Sequence, residues 1–381
     1  MRAQRQAGPT ADVGPARACA YPGGMASDPV DSELELVHRA LGRLRPHVSP
    51  ADARALHEAD WSAGTVEEGG QFHRVLVCAG TGVLRMTRAH EVGAAPAARW
   101  SPERDPARQL GRRMALLDGL DAALAEQGVA WTVPVALSDP VPAGTGAAVL
   151  QRYLPGGPHP PHEGDPAVLR RLLDEIAAVD VADPRIAPHL GRPFSFRGPW
   201  TAQRAEHVAG IPVRLAPRLG AWPGDDVDAR TGADVWADAV ARVTRAVTAW
   251  TEEPPVPPSL VHGDLAGHNM RWRAVPAADD APGEVRWELA GVLDWDLACA
   301  WDPALNVAYL SLWHGEDQVE RLAVDAGEAA RARVWLGAMA LETLDDAAAR
   351  DELVGGLPNG SWRRLLRKAL PRVARALTAL G

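Results

Sequence analysis

Val261-His262-Gly263-Asp264-Leu265-Ala266-Gly267-His268-Asn269, followed further on by Gly291-Val292-Leu293-Asp294-Trp295-Asp296, is the pair of stretches that decides how this chain reads. Each opens on a short apolar run of strand type and breaks into polar residues at a turn. Gly263 permits a tight loop, and His262 can anchor that loop from behind through its ring nitrogens. Asp264 then offers a carboxylate, Asn269 an amide oxygen five positions on, and Asp294 a second carboxylate at the end of the strand-like run 289–293.

An isolated Gly-Asp pair usually marks a turn or a cap. The ordered set of three carries more. A carboxylate that orients a hydroxyl and takes its proton, with an amide oxygen and a second carboxylate to hold magnesium, is what phosphoryl transfer to an alcohol requires. Asp264 is therefore the candidate catalytic base, and Asn269 and Asp294 are the candidate metal ligands. His262, Asp264 and His268 also form a His-x-Asp-x-x-x-His cluster, so a metal-dependent phosphohydrolase stands as an alternative. Asp296 is open to three readings: a second metal position, a contact for a substrate amine, or a plain loop acid.

The surrounding chain suits an enzyme with a small-molecule substrate. Its 381 residues, 46% hydrophobic, make one large or two modest domains with an ample core. A net charge of -9 with no basic block argues against nucleic acid as a partner. No apolar run is long enough for a membrane helix and the N-terminus has no signal-peptide core, so a soluble, cytoplasmic protein is expected. Cys19, Cys78 and Cys299 are scattered and odd in number, which suggests neither a disulfide framework nor a metal cluster.

Residues 1–28 are rich in Ala, Arg, Pro and Gly without periodicity and are expected to be a disordered extension, with Met25 a possible start. Leu34, Val37, Leu41 and Leu44 recur at helical spacing. Residues 69–77 and 82–86 read as two strands joined by Ala79-Gly80-Thr81, and residues 104–126 as a long helix. Val133–Leu137 and Ala147–Tyr153 read as further strands before the breaker Pro155-Gly156-Gly157-Pro158. The remainder is mostly helical. The predicted architecture is α+β and bilobal: residues 29–154 form a small antiparallel-sheet lobe with one long helix, and residues 155–381 a larger, mainly helical lobe, with a cleft between them.

His262-Gly263-Asp264-Leu265 with Asn269, then Gly291-Val292-Leu293-Asp294-Trp295-Asp296 and Asp302-Pro303-Ala304, resemble the aminoglycoside phosphotransferase-like small-molecule kinases, which share the protein-kinase-like fold. Val83-Leu84-Arg85 is similar to the macrolide phosphotransferase branch. The resemblance implies ATP, or GTP, as phosphoryl donor with Mg2+, and a hydroxyl acceptor such as an aminoglycoside, a macrolide or a related metabolite. It implies a base at Asp264, magnesium ligands at Asn269 and Asp294, and a structural acid at Asp302. It places Gly69 and Gly70 over the phosphates, Arg85 (or Arg88) as the basic phosphate contact, and Tyr153 and Leu154 at the interlobe hinge beside the purine. Lysine cannot fill the Arg85 position, because Lys368 is the single lysine in the chain.

One departure stands out. The family usually carries a glutamate on the long helix to pair with the basic residue, and Gly111-Arg112-Arg113-Met114 offers arginines instead. Either Arg85 meets phosphate without a carboxylate orienter, or its partner lies elsewhere. A nucleotide-binding protein with weak catalysis is a further alternative on that ground. Oligomeric state is not legible.

Overall fold

A computed structural model describes residues 29–67, 73–87, 106–143, 146–191, 202–214, 229–276, 285–354 and 359–381. The extension 1–28, Gly69, Gly70 and Arg88 lie outside the described residues.

The first part is built on a five-stranded antiparallel sheet of order β1-β2-β3-β5-β4. Its strands are β1 (Thr65–Glu67), β2 (His73–Cys78), β3 (Gly82–Thr87), β4 (Val141–Ala143) and β5 (Gly146–Arg152). The alternation of strand side chains sorts this sheet into two faces. Leu76, Leu84, Met86, Ala148 and Leu150 turn to one side, where helices α1 (Pro29–Leu41) and α2 (Pro50–Glu58) cover them with Val37, Leu41 and Leu56. Val149 turns to the other side, against Leu110 and Met114 of the long helix α3 (Pro106–Glu126). Arg85 pairs with Val149 and Val75, and His73 with Thr87, so these residues share the α3 side of the sheet.

Residues 133–137 do not form the expected strand. Pro134 supplies no N–H to a ladder, and the segment runs extended beside β5 through separate bonds, Leu137 N to Leu150 O at 2.7 Å and Arg152 N to Val135 O at 2.9 Å. The second half of α3 leaves the sheet altogether. Leu116, Leu117, Leu120 and Leu124 join the large apolar interior of the rest of the chain, which makes α3 a strut between the two parts.

That larger interior gathers α4 (Pro166–Ala177), α5 (Ala202–Ala209), α6 (Ala229–Glu252), α7 (Ala304–His314), α8 (Val319–Leu322), α9 (Ala326–Val354) and α10 (Asn359–Ala379). Helix α4 starts on Asp165, whose carboxylate accepts from Ala167 N, with Pro166 at the first helical position; Leu169, Leu172, Leu173 and Ile176 form its buried stripe. Helix α7 is buried on nearly every side, as expected of a central helix with few polar residues. Two small antiparallel pairs carry the motifs: β6 (Ser259–Val261) with β9 (Cys299–Trp301), and the hairpin β7 (Met270–Pro276) with β8 (Val285–Val292). Asp264 follows β6 and Asp294 follows β8, so both polar segments emerge where strands end. No helix among the described residues is long and apolar enough to cross a membrane.

Candidate active site

The loop after β6 is pinned from three sides. Gly263 has φ +85°, and a Cβ there would lie 2.5 Å from the carbonyl oxygen of Leu297, so glycine is required twice over. His262 is fully buried. Its Nδ1 accepts from Asp264 N at 3.1 Å, which leaves Nε2 as the protonated nitrogen, donating to Leu293 O at 2.7 Å. From below, Asn306 of α7 accepts from His262 N at 3.1 Å and donates to Leu260 O at 3.0 Å. The Asp264 carboxylate therefore stands on a braced backbone.

Asn269 and Asp294 are brought to the same place. The Asn269 Nδ2 donates to Asp264 O at 2.9 Å, and Leu293 N donates to Asn269 O at 2.7 Å. The amide nitrogen is thus turned back into the loop, and the amide oxygen is the group left for a cation. Asp294 sits in the left-handed region, φ 59° and ψ 54°, an unusual conformation for a residue with a side chain. Trp295 behind it is buried, its ring centroid lies 4.5 Å from that of His262 at a tilt of 56°, and it donates to Val292 O at 3.0 Å.

Arg85 reaches this cluster from β3. One guanidinium nitrogen, Nη2, donates to Asp296 Oδ2 at 2.7 Å, His73 Nδ1 at 2.9 Å and Asp294 Oδ1 at 3.0 Å. Burial alone would lower the arginine's pKa, but Asp296 and then Asp294 outweigh it and hold the charge firmly. The two carboxylates part company. Loss of water, then the charge of Asp296, pushes Asp294 above the usual carboxylate range. For Asp296, burial is overcome by the guanidinium charges of Arg85 and then Arg113, which hold it below that range. From α3, where the family's glutamate was expected, Arg113 instead donates to Trp295 O at 3.2 Å.

Residues 96–341 match the model of the phosphotransferase enzyme family, well over half of the chain. The chain belongs to that family. A stretch of 106 residues of this chain is 32% identical to viomycin phosphotransferase of Streptomyces vinaceus, covering 26% of this chain and 34% of that one, so the chain matches about a third of the length of this curated relative. Its fold is similar to that of a GDP complex of an aminoglycoside 2'-phosphotransferase-IIIa variant, with a TM-score of 0.53, 16% identity, and 85% and 96% of the two chains covered. A macrolide 2'-phosphotransferase from Brachybacterium faecium gives 0.46 and 16%, with 93% and 98% covered. The likeness to the aminoglycoside enzyme, with the five-stranded antiparallel sheet and the helices of the larger part, bears out the expected bilobal α+β kinase-like fold.

The other residues singled out in the sequence fall as follows. Tyr153 and Leu154 come directly after β5, whose pairing with β3 ends at Arg152 opposite Gly82. The Leu154 side chain is buried against Gly291, whereas Tyr153 is half-buried and within electrostatic reach of Arg271. Asp302 is buried and accepts from Ala304 N, Arg331 Nε and Trp335 Nε1, the behaviour of a structural acid. His268 is half-exposed, rests against Trp313, and lies 3.9 Å from Asp264 Oδ2.

Three residues of the site were not singled out as members of it: Asn306, His73 and Arg113. Asn306 lies four residues beyond Asp302 on an otherwise apolar helix, and an amide alone among apolar neighbours is a usable signal. For His73, only the strand register gives its nearness to Arg85.

The donors suit a hard cation. Asp294 and Asn269 present oxygen only, and among the described residues no three His, Cys, Asp or Glu side chains gather to hold a metal. A site with two protein oxygens matches magnesium, which keeps waters and takes its other ligands from phosphate.

Proposed function

We propose that this phosphotransferase transfers the terminal phosphoryl group of ATP or GTP, with magnesium, to a hydroxyl group of a small molecule, with Asp264 as catalytic base. One observation carries the reading: Asp264, Asn269 and Asp294 meet in one braced cluster, and Arg85 enters it from the sheet lobe.

Held at the back of a loop with little freedom, the Asp264 carboxylate can orient an acceptor hydroxyl and take its proton as the new bond forms. Magnesium bound by Asn269 and Asp294 would neutralise charge on the phosphates. Arg85 would hold a phosphate oxygen through the N–H groups not spent on the acids. Residues 29–154 then form the nucleotide lobe, with Gly69 and Gly70 over the phosphates and Tyr153 and Leu154 at the purine edge. Residues 155–381 supply the base, the metal ligands and the acceptor-binding helices.

The phosphohydrolase alternative loses its first ligand. Both ring nitrogens of His262 are engaged inside the loop, one accepting from Asp264 N and the other donating to Leu293 O. A weakly catalytic nucleotide binder is disfavoured by the acids around Arg85, which meet the need that the missing helix glutamate left open.

The names of the relatives point to antibiotics as acceptors. The test is to incubate the purified protein with ATP or GTP and magnesium against viomycin, aminoglycosides and macrolides, reading an added phosphate by mass. Transfer to one of these, lost in Asp264→Asn, is the expected result. Release of phosphate without any acceptor, supported by zinc or manganese, would sink the reading.

A further inference from the structure

Arg85 Nη2 is oversubscribed. It carries two N–H groups, yet three acceptors stand within hydrogen-bond distance: Asp296 Oδ2, His73 Nδ1 and Asp294 Oδ1. Asp294 is the longest of the three and the one assigned to the metal. If its carboxylate turns to a cation, two N–H groups remain for two acceptors, and Nη2 stays fully satisfied. Among the described residues, the Nη1 and Nε groups of Arg85 make no hydrogen bond, so that side of the fork remains for a phosphate.

We propose that His73 is a positioning residue for Arg85: with Asp296 it fixes the guanidinium for phosphate and so replaces the missing glutamate of the long helix. The inference rests on Arg85 being the phosphate contact, as set out above.

The strand register explains how a histidine reaches this place. His73 stands opposite Thr87 and Val75 opposite Arg85, which makes His73 and Arg85 diagonal neighbours on one face of an antiparallel pair, within reach of long side chains. Since an arginine only donates, His73 Nδ1 must be an unprotonated acceptor. Burial, followed by the nearby Arg85 charge, lowers the His73 pKa to about 3 and keeps the ring neutral. The 3.4 Å separation of His73 Nδ1 from Asp296 Oδ2 is then the gap between two acceptors sharing one donor, not an ion pair. A neutral acceptor also suits the surroundings. Arg113 already faces Asp296 and Asp294 from α3, and a protonated histidine would add a third cation beside the phosphate contact.

The test uses the full chain and three variants. His73→Leu keeps the volume and removes the acceptor, His73→Asn places an amide oxygen near the position of Nδ1, and Arg85→Gln removes the charge. Equilibrium binding of ATP, with and without magnesium, is measured beside kcat and KM for both substrates, with thermal midpoints to confirm folding. His73→Leu is expected to weaken ATP binding and raise the ATP KM about tenfold, leaving the acceptor KM unmoved, and His73→Asn is expected to recover most of the loss. Wild-type ATP binding in His73→Leu, or equal losses in the Leu and Asn variants, overturns the inference. If Arg85→Gln itself leaves ATP binding unchanged, the phosphate role of Arg85 falls instead. A loss in Arg85→Gln without one in His73→Leu removes His73 alone.

Discussion

His262 Nε2 stands 2.7 Å from the carbonyl oxygen of Leu293, and through this bond the loop that carries Asp264 is fastened to the strand end that carries Asp294. Replacing His262 with leucine leaves that carbonyl and the Asp264 amide without partners in the interior. The expected cost is roughly 2 to 4 kcal/mol of folding stability, read from denaturant unfolding, together with a fall in kcat larger than any change in nucleotide affinity. A variant as stable as the parent would show that the fastening is not needed.

Asp264→Asn keeps the shape of the side chain and removes its basicity. Transfer should drop roughly a hundred- to ten-thousandfold, while ATP binds with unchanged affinity in a titration, because no contact proposed for the nucleotide passes through this carboxylate. Transfer persisting near the parent rate would reassign the base.

Cys299 is buried in β9, and desolvation raises its thiol pKa to about 12. It should therefore resist alkylation at neutral pH in the folded protein and react fully once the chain is unfolded, whereas the half-exposed Cys78 is open to reagent throughout. Peptide mapping after iodoacetamide, with and without denaturant, distinguishes the two sites.

Glu316, just after α7, binds Arg372 and Arg375 of α10. Its burial would raise the pKa, but the two arginines hold it below the usual glutamate value. A depressed folded-state pKa adds stability above the unfolded value of about 4.3, and this is lost as pH falls through the folded one. Thermal midpoints of the parent and Glu316→Gln, followed from pH 7 down to pH 3, should thus differ at neutral pH and converge in acid. A constant gap across that range would show that the ion pairs do not hold α10.

Much of this molecule was legible in its sequence because strong local signals coincided with tertiary roles. Asp264 and Asn269 are read from a short spacing after one strand and Asp294 from the polar break after another, and the α1, α3 and α4 stripes from their apolar period. Pro134 misled because residues 133–137 are apolar enough for a strand while lacking a donor for one. The partners of Arg85 were not readable from any spacing. Asp294 and Asp296 lie more than 200 positions away, and His73 becomes a neighbour only through the register of β2 and β3.

The left-handed backbone of Asp294 carries a lesson for anyone who would engineer this protein. At φ 59° a side chain costs conformational energy that glycine does not pay. Asp294→Gly should therefore fold as well as the parent or better, with a higher melting midpoint, and yet transfer no phosphate, since the carboxylate proposed to hold the metal is gone. A screen that rewards thermal robustness alone would select this substitution, and would collect well-folded proteins that have traded away their chemistry at a single backbone angle.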